Sequence, residues 1–568
     1  MEVILNYFSK KLRLFSNTKE VSTLRIYFIF FVFIGLFSVL AARLFFLTVI
    51  PNLFSSSTSE LHSTPFDAVT RRDIVDCNGE LLAINIATAS VYANPKLILN
   101  PAETAKKLKK IFPSLSFKKL LIKLKSNKSF VWIKRFITPL EHQRVNDIGI
   151  PAIYFEIGEK RAYPYASLFS HVLGNVGLDG YGLSGIEKTF DNQLRYKQSS
   201  FKKTPLQLSL DLKVQNIVKE ELKISIKKFN ARGGVGIVQN PNNGAIIAIV
   251  SLPDFDPYNI SKARDDQLFN RATLGIYEVG SVFKPFTMAA AIDAKKVQLN
   301  DVYDVNNPIH FAKYQIKDLY NKDAWLSVPE ILMYSSNIGI AQIVLELGKK
   351  NQYNYLQSLG FFSTTDIEIP EKSKPLRPAF SKWNELNMIT IAYGHGISIS
   401  PLHVANAMSA IVNGGKFYPV TILKEKEPAA YTQVFKNSTS DIMRKLLRLV
   451  VRHGSGKRAD VNGYFVGGKT GTANKIVNGK YSKNLRVSSF IGAFPIYDPK
   501  YIIYVMLDEP KGIKESFGLA YGGWTAAPTV SRIIKRIAML YNIPSQFINK
   551  EKIENYLHID YNFRKRIS

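Results

Sequence analysis

The sequence predicts an α+β protein with a single N-terminal transmembrane helix and a large C-terminal domain in which helices flank an antiparallel sheet. Three observations favour this class: a long apolar run near the N-terminus, two pairs of short apolar strands separated by turn residues, and helical segments between them. Hydrophobic residues make up 46% of the 568-residue chain and charged residues 21%, which is typical of folded protein.

The apolar run predicts a membrane anchor over residues 26–50. Residues 26–42 carry no charge, and after Arg43 the apolar stretch continues to Ile50. About 20 apolar residues cross a bilayer core as a helix. Basic residues outnumber acidic ones before the run, so the positive-inside rule predicts a cytoplasmic tail over residues 1–25 and export of the rest. A cleaved signal peptide is the alternative, but its apolar region would be shorter.

The exported part divides into two domains and a tail. Residues 51–205 begin with a Ser/Thr-rich linker; we expect strands at residues 74–75 and 89–93, and a helical segment over residues 102–125 that breaks at Pro113. Residues 206–550 form the larger domain. Its apolar strands predict one hairpin around Asn242-Asn243-Gly244 and a second strand pair near residues 489–510. Residues 551–568 are charged, and we expect a peripheral C-terminal tail.

The charge balance restricts the partners. Lys and Arg outnumber Asp and Glu by 75 to 45, a formal net charge of +30. Such a charge favours an anionic membrane surface, an acidic polymer or nucleic acid. Zinc-finger spacing and RNA-binding signatures do not occur in the sequence, so we expect no nucleic-acid partner. Cys77 is the only cysteine, which excludes an intrachain disulfide and a thiolate metal cluster.

Three short elements in the larger domain carry the candidate chemistry. In chain order they are Ser281-Val282-Phe283-Lys284, Ser335-Ser336-Asn337 and Lys469-Thr470-Gly471-Thr472. The S-x-x-K pattern alone carries little weight, because it recurs at Ser16, Ser116, Ser199 and Ser225 on segments predicted to be solvated surface. The three elements together are far more specific than any one of them.

Ser281 is the candidate nucleophile and Lys284 its candidate base. A turn precedes Ser281 and a helix follows, so Lys284 would lie one turn on and on the same face. A serine hydroxyl is a poor nucleophile until a base removes its proton, and a lysine is a base only when neutral. Burial and a second nearby cation both disfavour the charged form, and Lys469 could supply that cation.

Ser335 and Asn337 lie between two helix-like pieces, so a connecting loop could direct both side chains into one cleft. Ser335 could relay a proton to a departing amine, and Asn337 could hold a substrate amide and contact Lys284. The alternative for both residues is a plain helix cap.

The glycine-rich element around Lys469 predicts a strand edge that receives an extended peptide. Lys469, with the hydroxyls of Thr470 and Thr472, could bind a terminal carboxylate, and the backbone N–H groups of Thr472 and Ser281 could form an oxyanion hole. Residues 463–470 also satisfy the phosphate-loop pattern GxxxxGK[ST]. We reject that alternative, because residues 464–466 predict a strand inside the loop and Gly471 stands where a helix should begin.

Taken together, these residues resemble the class B penicillin-binding proteins over nearly the whole chain after the anchor. Residues 71–83, 161–177 and 180–194 are similar to the boxes of that family's non-catalytic domain. Segments of the transpeptidase domain are matched at residues 270–287, 391–416, 463–475, 486–495 and 520–528. The resemblance implies an elongated non-catalytic pedestal (dimerisation) domain below a serine β-lactamase-like transpeptidase domain. The sequences of residues 278–285, 394–401 and 467–475 resemble the division-specific member of the family more closely than the elongation-specific one.

The resemblance implies acyl transfer without metal or organic cofactor. Ser281 would attack the penultimate D-Ala carbonyl of a stem pentapeptide, and an amine from a neighbouring strand would resolve the acyl-enzyme; β-lactams would acylate the same serine. Expected partners are peptidoglycan stem peptides as donor and acceptor, β-lactams, a membrane-embedded glycosyltransferase and other division proteins. The alternatives are an elongation-specific transpeptidase, a β-lactamase or β-lactam sensor of the same fold, and a non-enzymatic scaffold.

The chain departs from the family pattern at four positions, none of them a catalytic side chain. Arg72 replaces a usual glycine, Cys77 an arginine, Val279 a proline and Gln239 an aspartate.

Overall fold

The computed structural model describes residues 18–48, 69–197, 204–311, 314–318, 325–424, 429–477 and 479–561. The chain separates into two units, the first ending at Asp67 and the second beginning at Ala68. In the first unit the described residues form one helix, Thr18–Thr48. Its apolar stretch Tyr27–Leu44 is exposed and, at about 27 Å, is long enough to cross a membrane by length and composition. Residues 1–17 of the predicted tail and the linker lie outside the described residues.

The N-terminal domain of the second unit is built around one long strand. Its strands are β1 (Val69–Arg71), β2 (Ile74–Val75), β3 (Leu81–Ala93), β4 (Val131–Ile137), β5 (Ile153–Ala162), β6 (Arg195–Lys197) and β7 (Leu206–Gln207). Strand β3 pairs antiparallel with β2, β4 and β5, β7 joins β2 in parallel, and β1 pairs with β6. The predicted strands at residues 74–75 and 89–93 are confirmed, but the second extends back to Leu81.

The three longer helices of this domain share a core with strands β3 and β4. They are Pro101–Ile111, Phe117–Leu124 and Pro139–Asn146, followed by the short helices Ser170–Leu173, Gly185–Thr189 and Asp191–Leu194. The predicted break at Pro113 is confirmed. Asn100 caps the first helix through the N–H of Glu103, and Pro101 occupies its first turn. Leu108, Phe112 and Leu120 pack with Val91 of β3 into a separate core.

Buried ion pairs join the ends of this domain. Arg71 donates to Glu187 at 2.7 and 3.0 Å and also pairs with Asp191, and Arg161 donates to the same Glu187 at 2.6 Å. Glu187 is fully buried, so these cations compensate its charge. Cys77, one of the departures from the family pattern, lies at the junction with the next domain, where its backbone N–H donates to the Leu210 carbonyl.

The larger domain is built on a five-stranded antiparallel sheet. The strands of the whole domain, within and outside this sheet, are β8 (Gly233–Gln239), β9 (Ile246–Leu252), β10 (Val302–Asp304), β11 (Ile309–Phe311), β12 (Tyr314–Ile316), β13 (Trp325–Ser327), β14 (Lys416–Phe417), β15 (Thr432–Gln433), β16 (Gly467–Val477), β17 (Lys480–Phe494) and β18 (Tyr501–Asp508). The main sheet has the order β16-β17-β18-β8-β9, so β16 and β9 are its edges. Both predicted strand pairs, β8 with β9 and β17 with β18, are confirmed.

Helices pack on both faces of this sheet. They are Leu212–Lys228, Asp265–Leu268, Lys284–Asp293, Val328–Tyr334, Asn337–Leu347, Lys349–Ser358, Glu385–Ala392, Pro401–Val412, Asn437–His453, Ala526–Leu540 and Lys550–Leu557. Helices Leu212–Lys228 and Ala526–Leu540 share one core with the sheet. Helices Lys284–Asp293 and Pro401–Val412 belong to the core on the other face. Strand β8 is buried along its whole length, which explains its continuous apolar sequence.

Two expectations for this domain need correction. The segment LQLSLD, residues 206–211, predicts a strand, but the strand formed is only two residues long, because the chain then crosses to residues 422–423 and Asp211 caps the next helix. The predicted peripheral tail contains the helix Lys550–Leu557, whose Leu557 is buried in the core. Beyond it, the Tyr561 carbonyl accepts a hydrogen bond from the Ser327 hydroxyl at 2.6 Å.

Candidate active site

Ser281 lies in a short 3₁₀ turn, Gly280–Phe283, that leads directly into the helix Lys284–Asp293. The prediction placed Ser281 at the start of the helix; the structure places it one turn earlier, with Lys284 as the first α-helical residue. The Lys284 N–H donates to the Ser281 carbonyl, and Pro285 occupies the first turn, where its missing N–H costs no hydrogen bond. Ser281 is partly exposed, whereas Lys284 is completely buried.

Close glycine contacts fasten this turn to strand β16. Gly280 has a φ of +59°, and a Cβ there would lie 2.5 Å from the Thr472 carbonyl oxygen. On the strand, a Cβ at Gly471 would lie 2.1 Å from Cγ2 of Val282. The Gly280 N–H donates to the Gly394 carbonyl at 3.1 Å, which ties a second loop to the turn. Residues on both sides of Ser281 therefore touch the strand that carries the third motif.

The two lysines meet at Ser335. Lys284 Nζ lies 2.5 Å from the Ser335 carbonyl oxygen, 3.1 Å from Ser335 Oγ and 2.8 Å from Asn337 Oδ1. Lys469 Nζ donates to the same Ser335 Oγ at 2.9 Å and to the Thr470 carbonyl at 3.2 Å. The structure thus brings together residues that are 51 to 134 positions apart in the chain.

The second motif forms the predicted loop between two helices. Ser335 ends the helix Val328–Tyr334 in the left-handed region, with a φ of +63°, and Ser336 caps the helix Asn337–Leu347. A left-handed serine costs about 1–2 kcal/mol. Such conformations cluster at functional sites, and here the turn places Ser335 Oγ between the two lysines.

Both lysines are fully buried, and their protonation follows from that burial. Burial and the neighbouring charge of Lys469 hold the pKa of Lys284 well below its usual value, and Asp318 opposes this shift. Burial lowers the pKa of Lys469 to about 7. Lys284 is therefore suited to accept a proton near neutral pH, as the sequence argument required.

The third motif lies on the edge strand β16, as predicted. Thr470 Oγ1 and Ser455 Oγ are 2.7 Å apart, and Thr472 Oγ1 accepts from the Gly522 N–H at 3.1 Å. Gly471, predicted to bind substrate, is buried against Val282, so its position in the structure is a packing contact. Strand β16 is an edge of the sheet and contacts the Ser281 turn at Gly471 and Thr472. Unpaired backbone groups of an edge strand can receive an extended peptide.

The strand predicted at residues 464–466 is not formed. Residues 464–466 lie before the strand, which begins only at Gly467, because Phe465 has a left-handed φ of +46°. The conclusion is unchanged: the chain continues after Lys469 as strand to Val477, and no helix begins there. A phosphate loop needs the N-terminus of a helix at that point.

Sequence reasoning missed a hydrogen-bonded cluster around the carboxylate of Glu278, just before the nucleophile turn. Glu278 accepts hydrogen bonds from the Gly396 N–H at 2.8 Å and from the Tyr481 hydroxyl at 3.0 and 3.2 Å, and it lies 2.8 Å from His395 Nδ1. Glu278 thereby joins the lead-in to Ser281, the loop at Gly394 and the start of β17. No local sequence pattern indicates this cluster, because its members are up to 203 residues apart in the chain.

Asp318 was also missed. Its carboxylate contacts the second motif from a separate segment, next to the predicted Asn337. Within the described ranges, no three His, Cys, Asp or Glu side chains come together in a group that could hold a metal ion.

Comparison with known proteins agrees with this geometry. Residues 234–535 match the family described as penicillin-binding protein transpeptidase domain, and residues 67–204 match the penicillin-binding protein dimerisation domain. These two matches cover the two domains of the second unit.

Individual relatives share most of the chain. A probable peptidoglycan D,D-transpeptidase FtsI from Caulobacter vibrioides is 36% identical over 480 residues, which cover 82% of this chain and 81% of the relative. A probable peptidoglycan D,D-transpeptidase PenA from Neisseria gonorrhoeae is 30% identical and covers 90% and 91%. The crystal structure of penicillin-binding protein 3 from Mycobacterium tuberculosis, complexed with aztreonam, has the same fold, with a TM-score of 0.68, 22% identity and coverage of 84% and 97%.

Proposed function

The chain belongs to the class B penicillin-binding proteins, and we propose that it is a peptidoglycan D,D-transpeptidase of septal cell-wall synthesis and a covalent target of β-lactams. The family, the order of the three motifs and the D,D-transpeptidase relatives support this proposal. One observation carries it: two fully buried lysines converge on Ser335, and one of them, Lys284, begins the helix that follows the partly exposed Ser281. A scaffold without chemistry would have no use for two buried amines.

In the proposed reaction Ser281 is the nucleophile and neutral Lys284 its base. Ser281 Oγ attacks the penultimate D-Ala carbonyl of the donor stem peptide while its proton passes to Lys284 Nζ. The bond to the terminal D-Ala then breaks, and a proton delivered through Ser335 leaves with its amine. An amine of a second stem peptide attacks the acyl-serine ester, forms the cross-link and regenerates Ser281. Attack by water on the same ester would give a carboxypeptidase side reaction.

The edge of β16 is the proposed donor site. Lys469, Thr470 and Thr472 would hold the terminal carboxylate, and the N–H groups of Ser281 and Thr472 would stabilise the oxyanion. A peptide added antiparallel to β16 would continue past Asn474 towards a cleft of about 170 Å³ beside Glu278.

The proposed location is the cytoplasmic membrane. The apolar N-terminal helix and the relatives fit a single-pass membrane protein. We propose a cytoplasmic N-terminus, because Lys10, Lys11, Arg13, Lys19 and Arg25 precede the span. The catalytic domain would then act outside this membrane, beside a membrane-embedded glycosyltransferase and other division proteins.

The test is covalent labelling of the full-length protein by a fluorescent penicillin. We expect label on wild type and none on Ser281→Ala, because the acyl-enzyme ester cannot form without the hydroxyl. Ser116→Ala is the matched control: Ser116 begins another S-x-x-K sequence, but it lies at a helix start in the pedestal domain, and its variant should label normally.

Peptide mapping of the labelled protein identifies the acylated residue directly. Persistent label on a folded Ser281→Ala protein would show that another serine is acylated. A folded wild type that takes no label would favour the non-enzymatic scaffold.

A further inference from the structure

A carboxylate from outside the three motifs supports the second of them. In the S-D-N form of this motif the middle residue is an aspartate, but here it is Ser336. Ser336 Oγ donates to Asp318 Oδ2 at 2.6 Å. Asp318 Oδ1 accepts from the backbone N–H of Asn337 at 2.5 Å and of Ile338 at 3.0 Å. Asp318 thus occupies the N-terminus of the helix Asn337–Leu347, where a negative charge is favourable.

The same segment fixes the orientation of the Asn337 amide. Asn337 Nδ2 donates to the Lys317 carbonyl at 2.8 Å, so Oδ1 is the atom that faces Lys284 Nζ, also at 2.8 Å. A reversed amide would place two donors against each other at Lys284 and two acceptors at Lys317. Residues 317 and 318 therefore determine how Asn337 meets the lysine.

We propose that Asp318 is a positioning residue for the acylation step, supplying from a separate segment the carboxylate that Ser336 lacks. It holds the start of the helix so that Asn337 Oδ1 reaches Lys284, and it places a negative charge beside the lysine pair. This inference rests on the proposed function, in which Lys284 is the base for Ser281.

Electrostatics distinguishes this role from a merely structural one. Among the residues that the structure describes, two charged groups act on Lys284, the cation of Lys469 from β16 and the anion of Asp318, while Ser335 and Asn337 contribute neutral oxygens. Burial and Lys469 lower the pKa of Lys284, and Asp318 raises it. Removing the charge of Asp318 should therefore move the acid limb of the acylation rate to lower pH, because Lys284 then remains neutral in more acidic solution. A loss of packing alone would lower the rate at every pH without moving the limb.

The experiment measures the rate at which fluorescent penicillin labels the Ser281 peptide of the full-length protein. For Asp318→Asn we expect a rate about ten- to a hundredfold lower at neutral pH, from misplacement of the reacting groups. Asp304→Asn is the matched control, because its Oδ1 caps a turn with two hydrogen bonds from Asn306 but contacts neither lysine. We expect the control to label at the wild-type rate.

A carboxylate exchange sharpens the test. Ser336→Asp alone would place a second carboxylate against Asp318, and like charges repel, so its rate should fall. The double variant Asp318→Ser with Ser336→Asp restores one carboxylate to the pair, and its rate should exceed that of Asp318→Ser by at least about tenfold.

Two results would overturn the inference: Asp318→Asn labelling as fast as wild type, or a folded exchange variant no faster than Asp318→Ser. The first result decides the matter even if the exchange variant fails to fold. Labelling of the wild-type Ser281 peptide tests the proposed function separately, so that function can stand while the role of Asp318 fails.

Discussion

The contact between Gly280 and Thr472 is the most direct mechanical link between the nucleophile and the third motif, and replacing Gly280 with alanine tests it. Gly280 has a φ of +59°, and an added Cβ would lie 2.5 Å from the Thr472 carbonyl oxygen. Ordinary contact begins near 3.4 Å, so turn and strand must separate by about 0.9 Å. The obstacle is backbone, which cannot rotate away as a flexible side chain could.

The size of the effect follows from that displacement. A shift of about 1 Å in reacting groups can cost about a hundredfold in rate, so we expect Gly280→Ala to acylate about a hundred times more slowly. This corresponds to about 2.7 kcal/mol in the activation free energy. The left-handed alanine adds a stability cost of about 1–2 kcal/mol.

The assay is the second-order rate constant of penicillin acylation, with the melting temperature measured in parallel. Gly79→Ala is the control: Gly79 has a φ of +91°, but no atom lies within 4 Å of its added Cβ. It should lose similar stability and keep its acylation rate. An acylation rate of Gly280→Ala within threefold of wild type would refute the reasoning. So would a loss of acylation rate in Gly79→Ala as large as the loss in Gly280→Ala.

Two further predictions concern groups around the cleft. Lys469 loses its proton as the pH rises through about 7. We therefore expect acylation to slow above that pH, because the carboxylate of the β-lactam loses its cationic partner. Lys469→Arg should lack this alkaline limb in a pH–rate profile, because arginine stays charged. An unchanged limb in the arginine variant would assign it to another group. Tyr481→Phe removes a donor to Glu278 and should slow acylation about fivefold, from the loss of about 1 kcal/mol. Tyr464→Phe removes a hydroxyl that donates to the Ile543 carbonyl instead, and it should leave the rate unchanged. Equal rates for the two tyrosine variants would contradict a role for the Glu278 cluster.

Local sequence signals located most elements correctly. The break at Pro113, the hairpin at Gly244 and the loop around Ser335 follow from turn residues and periodicity, which act over a few positions. Strand β3 was underestimated, since its first half becomes strand through pairing with β5, some 70 residues away. Pairing of this kind depends on tertiary contact and leaves no local pattern.

The candidate site shows the same difference between residues that sequence patterns predict and residues that only tertiary contacts bring in. The motif order predicted that Lys284, Ser335, Asn337 and Lys469 would meet, and the structure places them in contact. Asp318 and Glu278 act through single carboxylates that reach across from other segments, and an isolated acidic residue in a sequence has no distinguishing spacing. Sequence therefore predicted the groups that do the proposed chemistry better than the groups that hold them in place.

The two buried lysines explain why such supports are needed. Desolvating an unpaired ammonium costs several kcal/mol, and within the described part of the chain the oxygens that contact Lys284 and Lys469 are uncharged. The fold meets this cost partly by letting the amines lose their protons, as the lowered pKa values indicate. A neutral amine binds its acceptors less strongly than an ammonium does, so it holds its neighbours less firmly. Positioning then has to come from elsewhere: from the left-handed turn at Ser335, from the glycine contacts of Gly280 and from the carboxylate of Asp318.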